Sequence, residues 1–259
     1  MDTLTLGQLD ALTLAMFADV SLSPQDFAVT ELVPFAEWVW LQGSGKTPHR
    51  IHTTGQLKTL ERDLRSGQSV SKLAVGAPSG YIRIRRNQDD TSHTGWLSFL
   101  AMLGHAAPAA GLSKALASQL TGVVKEMEDN VHLHSRQPST GLVAFMARPG
   151  LFEFVVLDRG IGVLASLREA QEFATVPDHG TALQLAVSDG RSRYGTGSGH
   201  GLGFSDLTVG VANSNALVRF RSGDHLLELD GRGHGTIGTR CVQRAAGSGF
   251  LIAVQVVPT

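Results

Sequence analysis

Between residues 113 and 134 the chain carries an apolar repeat that only a long helix satisfies. Leu116, Leu120, Val123, Met127 and Val131 recur at steps of three and four, the spacing that aligns side chains on one helical face. Ser113 stands ahead of them as an N-cap. Glu126, Asn130 and His134 follow one another at four-residue steps on an adjoining face. Such a helix buries one edge and presents a carboxylate and an amide to a cleft. Two strand-like segments come next, 142–146 and 151–157, the second with Phe152, Phe154 and Val156 on one side. A helix of this kind followed by apolar strands calls for a sheet beneath it.

The remaining pattern fits that frame. Helices are expected at 163–170, 181–187 and 202–212. Strands are expected at 216–221 and 225–230, joined by a turn at Ser222-Gly223-Asp224, with a last strand at 250–256. The order implies an α+β fold, a mixed sheet with helices packed on one face. Upstream, helical patterns lie at 9–17 and 57–64, the latter with Leu57, Leu60 and Leu64 on one side, and an aromatic segment runs from Phe35 to Trp40. Residues 81–85 alternate like a strand, and the polar stretch 87–92 marks a boundary or long loop. An apolar helix at 96–103 follows, closed by Pro108 and Gly111.

Composition removes several function classes. A chain of 259 residues can form one large domain or two small ones. Its 22 basic and 23 acidic residues give no large attraction to nucleic acid or an anionic membrane. Cys241 is the single cysteine, which excludes an internal disulfide framework and a cysteine-rich zinc site. No apolar run reaches the roughly 18 residues that span a bilayer, and Met1 to Thr5 lacks the start of a signal peptide. The expectation is a cytoplasmic protein. Gly43-Ser44-Gly45-Lys46-Thr47 imitates a phosphate loop, but Trp40 stands where the pattern needs its first glycine. His132, His134, His200 and His234 share no ligand spacing that would build a metal centre.

Three segments carry chemistry. Glu126 can take a proton from water or a hydroxyl, and the Asn130 amide oxygen can hold a hard cation. Asp158 ends an apolar strand and is followed by Gly160 and Gly162. There a carboxylate can accept a hydrogen bond from an exocyclic amine, and glycines let backbone close over a flat ring. Gly197 to Phe204, with Gly199, His200, Gly201, Leu202 and Gly203 at its centre, runs into an apolar helix. Backbone N–H groups in that setting, aided by the helix dipole, favour an anion such as phosphate.

In this order and spacing the segments resemble the GHKL superfamily of ATP-binding domains, over residues 112–258. Lys125 to Asn130, continuing through His134-Ser135, is similar to the superfamily's N box. Asp158-Arg159-Gly160-Ile161-Gly162 is similar to its first glycine box and Gly199 to Gly203 to its second. The resemblance implies a two-layer α/β sandwich of the Bergerat type in residues 111–259. Residues 1–110 carry no such resemblance and are expected to form a smaller α/β region for sensing or partner binding. The resemblance further implies ATP and magnesium as ligands. Asn130 would hold magnesium, and Asp158 would receive the adenine amine. Gly160 and Gly162 would close over the base, and Gly199, His200, Gly201, Leu202 and Gly203 would line the phosphates. Glu126 corresponds to the general base, and the segment between Gly162 and Gly199 to the lid, with Arg191 and Arg193 in it. Gly249-Phe250 stands where the family commonly has a Gly-Thr pair, and Val131 where it has alanine.

The sequence ends at Thr259, after the last expected strand, whereas the topoisomerase, chaperone and mismatch-repair members continue into a further domain. Neither His93 nor His105 sits in a phospho-acceptor context. The expectation therefore moves to the small members, including the anti-sigma-factor serine kinases, which share the Glu126, Asn130, His134 pattern and phosphorylate a hydroxyl on a partner. Two functions stay open. One is a magnesium-dependent ATPase or protein serine kinase using Glu126; the other is a non-catalytic, nucleotide-gated switch. Both imply a regulatory protein partner, and a homodimer is compatible with either.

Overall fold

The computed structural model describes residues 1–42, 49–71, 76–84, 94–188, 214–232 and 237–258. The chain begins with β1 (Asp2–Thr3), α1 (Leu6–Phe17), β2 (Asp26–Val29), α2 (Leu32–Gln42), β3 (Arg50–Thr53) and α3 (Gly55–Arg65). It continues through β4 (Ser79–Arg83), α4 (Thr94–Ala109), α5 (Lys114–His134), β5 (Leu142–Arg148) and β6 (Leu151–Asp158). The last elements are α6 (Gly162–Leu167), α7 (His179–Val187), β7 (Ala216–Asp230) and β8 (Gly238–Val256). The fold is α+β. The mixed sheet expected from the sequence is divided between two sheets: a parallel one, β1-β2-β3, and a five-stranded one, β4-β5-β6-β8-β7, antiparallel at every described pairing.

Strict alternation along β6 sets the faces of the large sheet. Phe152, Phe154 and Val156 point into one core with Phe145 of β5 and Ile252 and Val254 of β8. Leu103 and Ala107 of α4, Val124, Met127 and Val131 of α5, and Leu183 of α7 cover that core. Because β4 and α4 supply Ile82, Phe99 and Leu103 to it, part of the first 110 residues is built into the same core as α5.

The opposite face carries Val155 and Leu157 of β6, Ala144 and Met146 of β5, and Leu251 and Ala253 of β8. It is also covered, by α1 and α2, whose Leu9, Leu32, Phe35, Trp38 and Trp40 are buried there. Helices thus lie on both faces, where sequence order had placed them on one. An apolar helix with two tryptophans, such as α2, needs a second apolar surface, and the odd-numbered residues of β6 supply it.

Charged groups fasten this second layer. Glu153, on the odd-numbered side of β6, accepts the Leu32 and Val33 amides at 3.0 and 3.1 Å. It so satisfies two amides at the start of α2, while burial pushes its carboxyl above the usual carboxylate range. Arg219 of β7 is 1% exposed and bonds Glu37 of α2, Asp10 of α1 and Glu228 of β7. Those carboxylates raise the Arg219 guanidinium above its usual value in spite of burial. Arg221 beside it lies 5.3 Å from the centre of the Trp40 ring and donates to Ala245 O at 2.7 Å.

The strands expected at 216–221 and 225–230 form one element, β7. Ser222-Gly223-Asp224 is an irregularity within it, where the register to β8 shifts and Gly223 takes φ 56°. The sequence resembles a turn because a bulge draws on the same residue types. Its partner β8 begins at Gly238, so the strand expected at 250–256 is only its last seven residues of nineteen. The helix expected at 163–170 closes at Leu167, followed by a 3-10 turn at Gln171–Phe173.

Candidate functional site

The last turn of α5 meets the loop leaving β6. Ser113 caps the helix start by accepting the Leu116 amide at 3.2 Å, as its position suggested. Met127 and Val131 are buried, while Glu126, Asn130 and His134 keep partial exposure along the adjoining stripe. Among the described residues the Asn130 amide has one contact, from Nδ2 to Met127 Sδ at 3.9 Å. His134 Nδ1 lies 3.1 Å from Ser166 Oγ of α6. Beyond the helix, Arg136 adopts φ 62° and its guanidinium grips Glu169 at 2.9 Å from both carboxylate oxygens. That pair fastens the end of α5 to the segment after α6.

Asp158 is the last residue of β6 and has the parity of Val156, so it faces the α5 side. It is 3% exposed. Burial pushes its carboxyl up to about 6, although the Gly160 and Phe250 backbone amides, which favour the charged form, oppose the shift. The Gly160 bond measures 2.6 Å.

The loop is clamped on two sides, and here glycine is required. A Cβ on Gly160 would stand 2.0 Å from Ser135 O, the carbonyl that also accepts the Ile161 amide at 3.0 Å. Gly249 of β8 takes φ 79°, and a Cβ there would stand 2.2 Å from Asp158 O. Gly162, at φ 75°, opens α6. Ser222 Oγ accepts the Val163 amide at 3.0 Å and donates to Gly249 O at 3.1 Å, tying the bulge of β7 to the start of α6.

The structure thus brings the loop after Asp158, through Gly160 and Ile161 on Ser135, against the end of the helix that carries Glu126, Asn130 and His134, while Gly162 packs on Ser222 and Gly249. Gly199, His200, Gly201, Leu202 and Gly203 lie outside the described residues, as do Arg191, Arg193, the helix expected at 202–212 and the Gly43 to Thr47 segment. The sequence names Ser135, Ser222 and Gly249 without showing that they clamp this loop. Ser222 was hidden in an apparent turn. Only Gly249, beside the unusual Phe250, carried a visible signal.

Among the described residues no group of three or more histidine, cysteine, aspartate or glutamate side chains is placed to hold a metal ion. No described helix is long and apolar enough to cross a membrane. No model of a known protein family matches the chain, and no curated protein matches it significantly.

Proposed function

We propose that the chain is a GHKL-type protein that binds Mg-ATP, a regulatory ATPase or protein serine kinase with Glu126 as general base. In this reading α4–α7 and the five-stranded sheet are the family's α/β sandwich, and the N-terminal elements are a layer added on the outer face. The observation that carries it is Asp158. A carboxylate is buried at a strand end, raised to about 6, and framed by glycines beside a helix bearing Glu126 and Asn130. Burying such a group is unfavourable unless a ligand uses it, and an adenine amine is the donor its place suits.

Asn130 fits a magnesium ion held by one amide, the remaining ligands being phosphate oxygens and water, because its oxygen accepts nothing among the described residues. The ion would neutralise charge on the phosphates. Glu126 takes the proton of the attacking oxygen as that oxygen bonds the γ-phosphorus and the bond to ADP breaks. The attacking oxygen belongs to water in an ATPase and to a partner's serine in a kinase. The loops after Gly162, through Gly199 to Gly203, would enclose the phosphates. In this reading the protein works in the cytoplasm, where ATP is supplied.

Replacing Glu126 by glutamine tests the catalytic step. E126Q should keep nucleotide affinity within about threefold and lose roughly 100-fold or more of its turnover, the usual scale of a general base. Equal turnover by E126Q and wild type rules out Glu126 as the base, and negligible turnover by both, with nucleotide still bound, leaves the switch.

A further inference from the structure

We propose that the outer face of the large sheet holds a second ligand site, for a small amphipathic anion with an apolar body and one carboxylate, sulfonate or phosphate group. Between α2, β3 and α3 on one side and β4, β5 and β6 on the other lies a cleft of about 750 Å³. That volume suits a ligand of ordinary metabolite or drug size. Its apolar surface includes Phe35 of α2, Ile51 of β3, and Ala144 and Leu157 of the sheet. The α1–α2 layer packs on β6 and β8, and the cleft lies beside it over Ala144 of β5 and Val155 and Leu157 of β6.

Charge decides what fits. Arg50, Arg65, Arg83 and Arg159 line the cleft, and among the described residues one carboxylate, Glu61, faces them there. Glu61 is taken by Arg65, whose Nε and Nη2 reach it at 2.8 and 2.6 Å. Among the described residues the Arg83 side chain bonds only the Leu64 carbonyl, at 3.3 Å, and the Arg159 side chain only the Val39 carbonyl, at 3.2 Å. The Arg50 side chain has no partner among the described residues. Three arginines whose side chains meet no carboxylate among the described residues thus line one apolar cleft, which matches one anionic head on an apolar body. Double-stranded nucleic acid does not fit, because these cations ring a concavity instead of tracking a backbone.

The cleft is separate from the nucleotide site. Asp158 faces α5, and Arg159, the next residue, faces the cleft on the other side of the sheet. The proposal therefore stands whether or not ATP binds.

The test titrates the full chain with 1-anilinonaphthalene-8-sulfonate, an aryl sulfonate of the required class, followed by fluorescence. One saturable site is expected. R83Q/R159Q should weaken it at least tenfold, while the uncharged N-phenyl-1-naphthylamine binds wild type and variant alike. Should the double variant fail to fold, R50Q, which breaks no described bond, should weaken the sulfonate at least threefold. Non-saturable binding, affinity indifferent to these arginines, or competitive displacement by Mg-ATP would overturn the proposal.

Discussion

Replacing Asp158 by asparagine should make the protein more stable at neutral pH. The carboxyl ionises at about 6 in the folded chain, against 3.8 for an unburied aspartate. Each unit is worth about 1.4 kcal/mol, so the ionised group costs the fold about 3 kcal/mol once the pH is well above 6. Between the two values the unfolded chain has released a proton that the folded chain keeps. Stability from this group is therefore complete below pH 3.8 and is lost as the pH rises through 6. Asparagine has no charge to bury and can still accept the Gly160 amide. For a chain of this size a gain of 3 kcal/mol corresponds to a rise of roughly 6–12 °C in Tm. The assay is the Tm difference between D158N and wild type across pH 4.5–8, which cancels every other titrating group. The difference should grow with pH and level off above 7. A difference that is flat, or that shrinks as pH rises, would refute the burial argument. The expected gain also bears on function: an aspartate kept where an amide is more stable is there for something other than the fold.

Two further changes probe the scaffold. Gly160→Ala puts a Cβ against the Ser135 carbonyl, a backbone atom that cannot swing away; urea unfolding should show a loss of about 3 kcal/mol. Glu37→Gln withdraws a fully buried carboxylate from Arg219 and Arg221 while leaving Asp10 and Glu228 in place. It should cost about 3 kcal/mol and expose residues 1–71 to limited proteolysis before the rest. In E37M/R219M, where both charges go, the loss should be smaller than the two single losses combined.

What could be read in advance followed local periodicity. The five apolar residues from Leu116 to Val131 and the Ser113 cap located α5 within a residue of its observed start. The alternation of Phe152, Phe154 and Val156 gave both β6 and its inner face. Asp158 could be placed at a strand end because that alternation stops there. Long-range pairing was not legible. Whether Ser222-Gly223-Asp224 turns or bulges depends on residues 238–247 lying alongside, and 243–249, with two alanines and two glycines, carry no strand pattern of their own. The β1, β2 and β3 strands have two to four residues each, too short to show a period. The second layer was equally hidden. Glu37, Arg219 and Glu153 look like surface charges until α1 and α2 close over the sheet, since only tertiary structure pairs residues more than 100 positions apart.

The central claim is a nucleotide site built on Asp158, and calorimetric titration of the full chain with ATP and magnesium at pH 7.5 tests it most directly. D158N, expected to be folded and the more stable of the two, is the control. The account predicts saturable one-site binding by wild type and a loss of at least tenfold in D158N, since a buried hydrogen bond to a charged acceptor is worth about 1.5–3 kcal/mol. Absence of binding at millimolar ATP, or equal affinity in the two proteins, would contradict it.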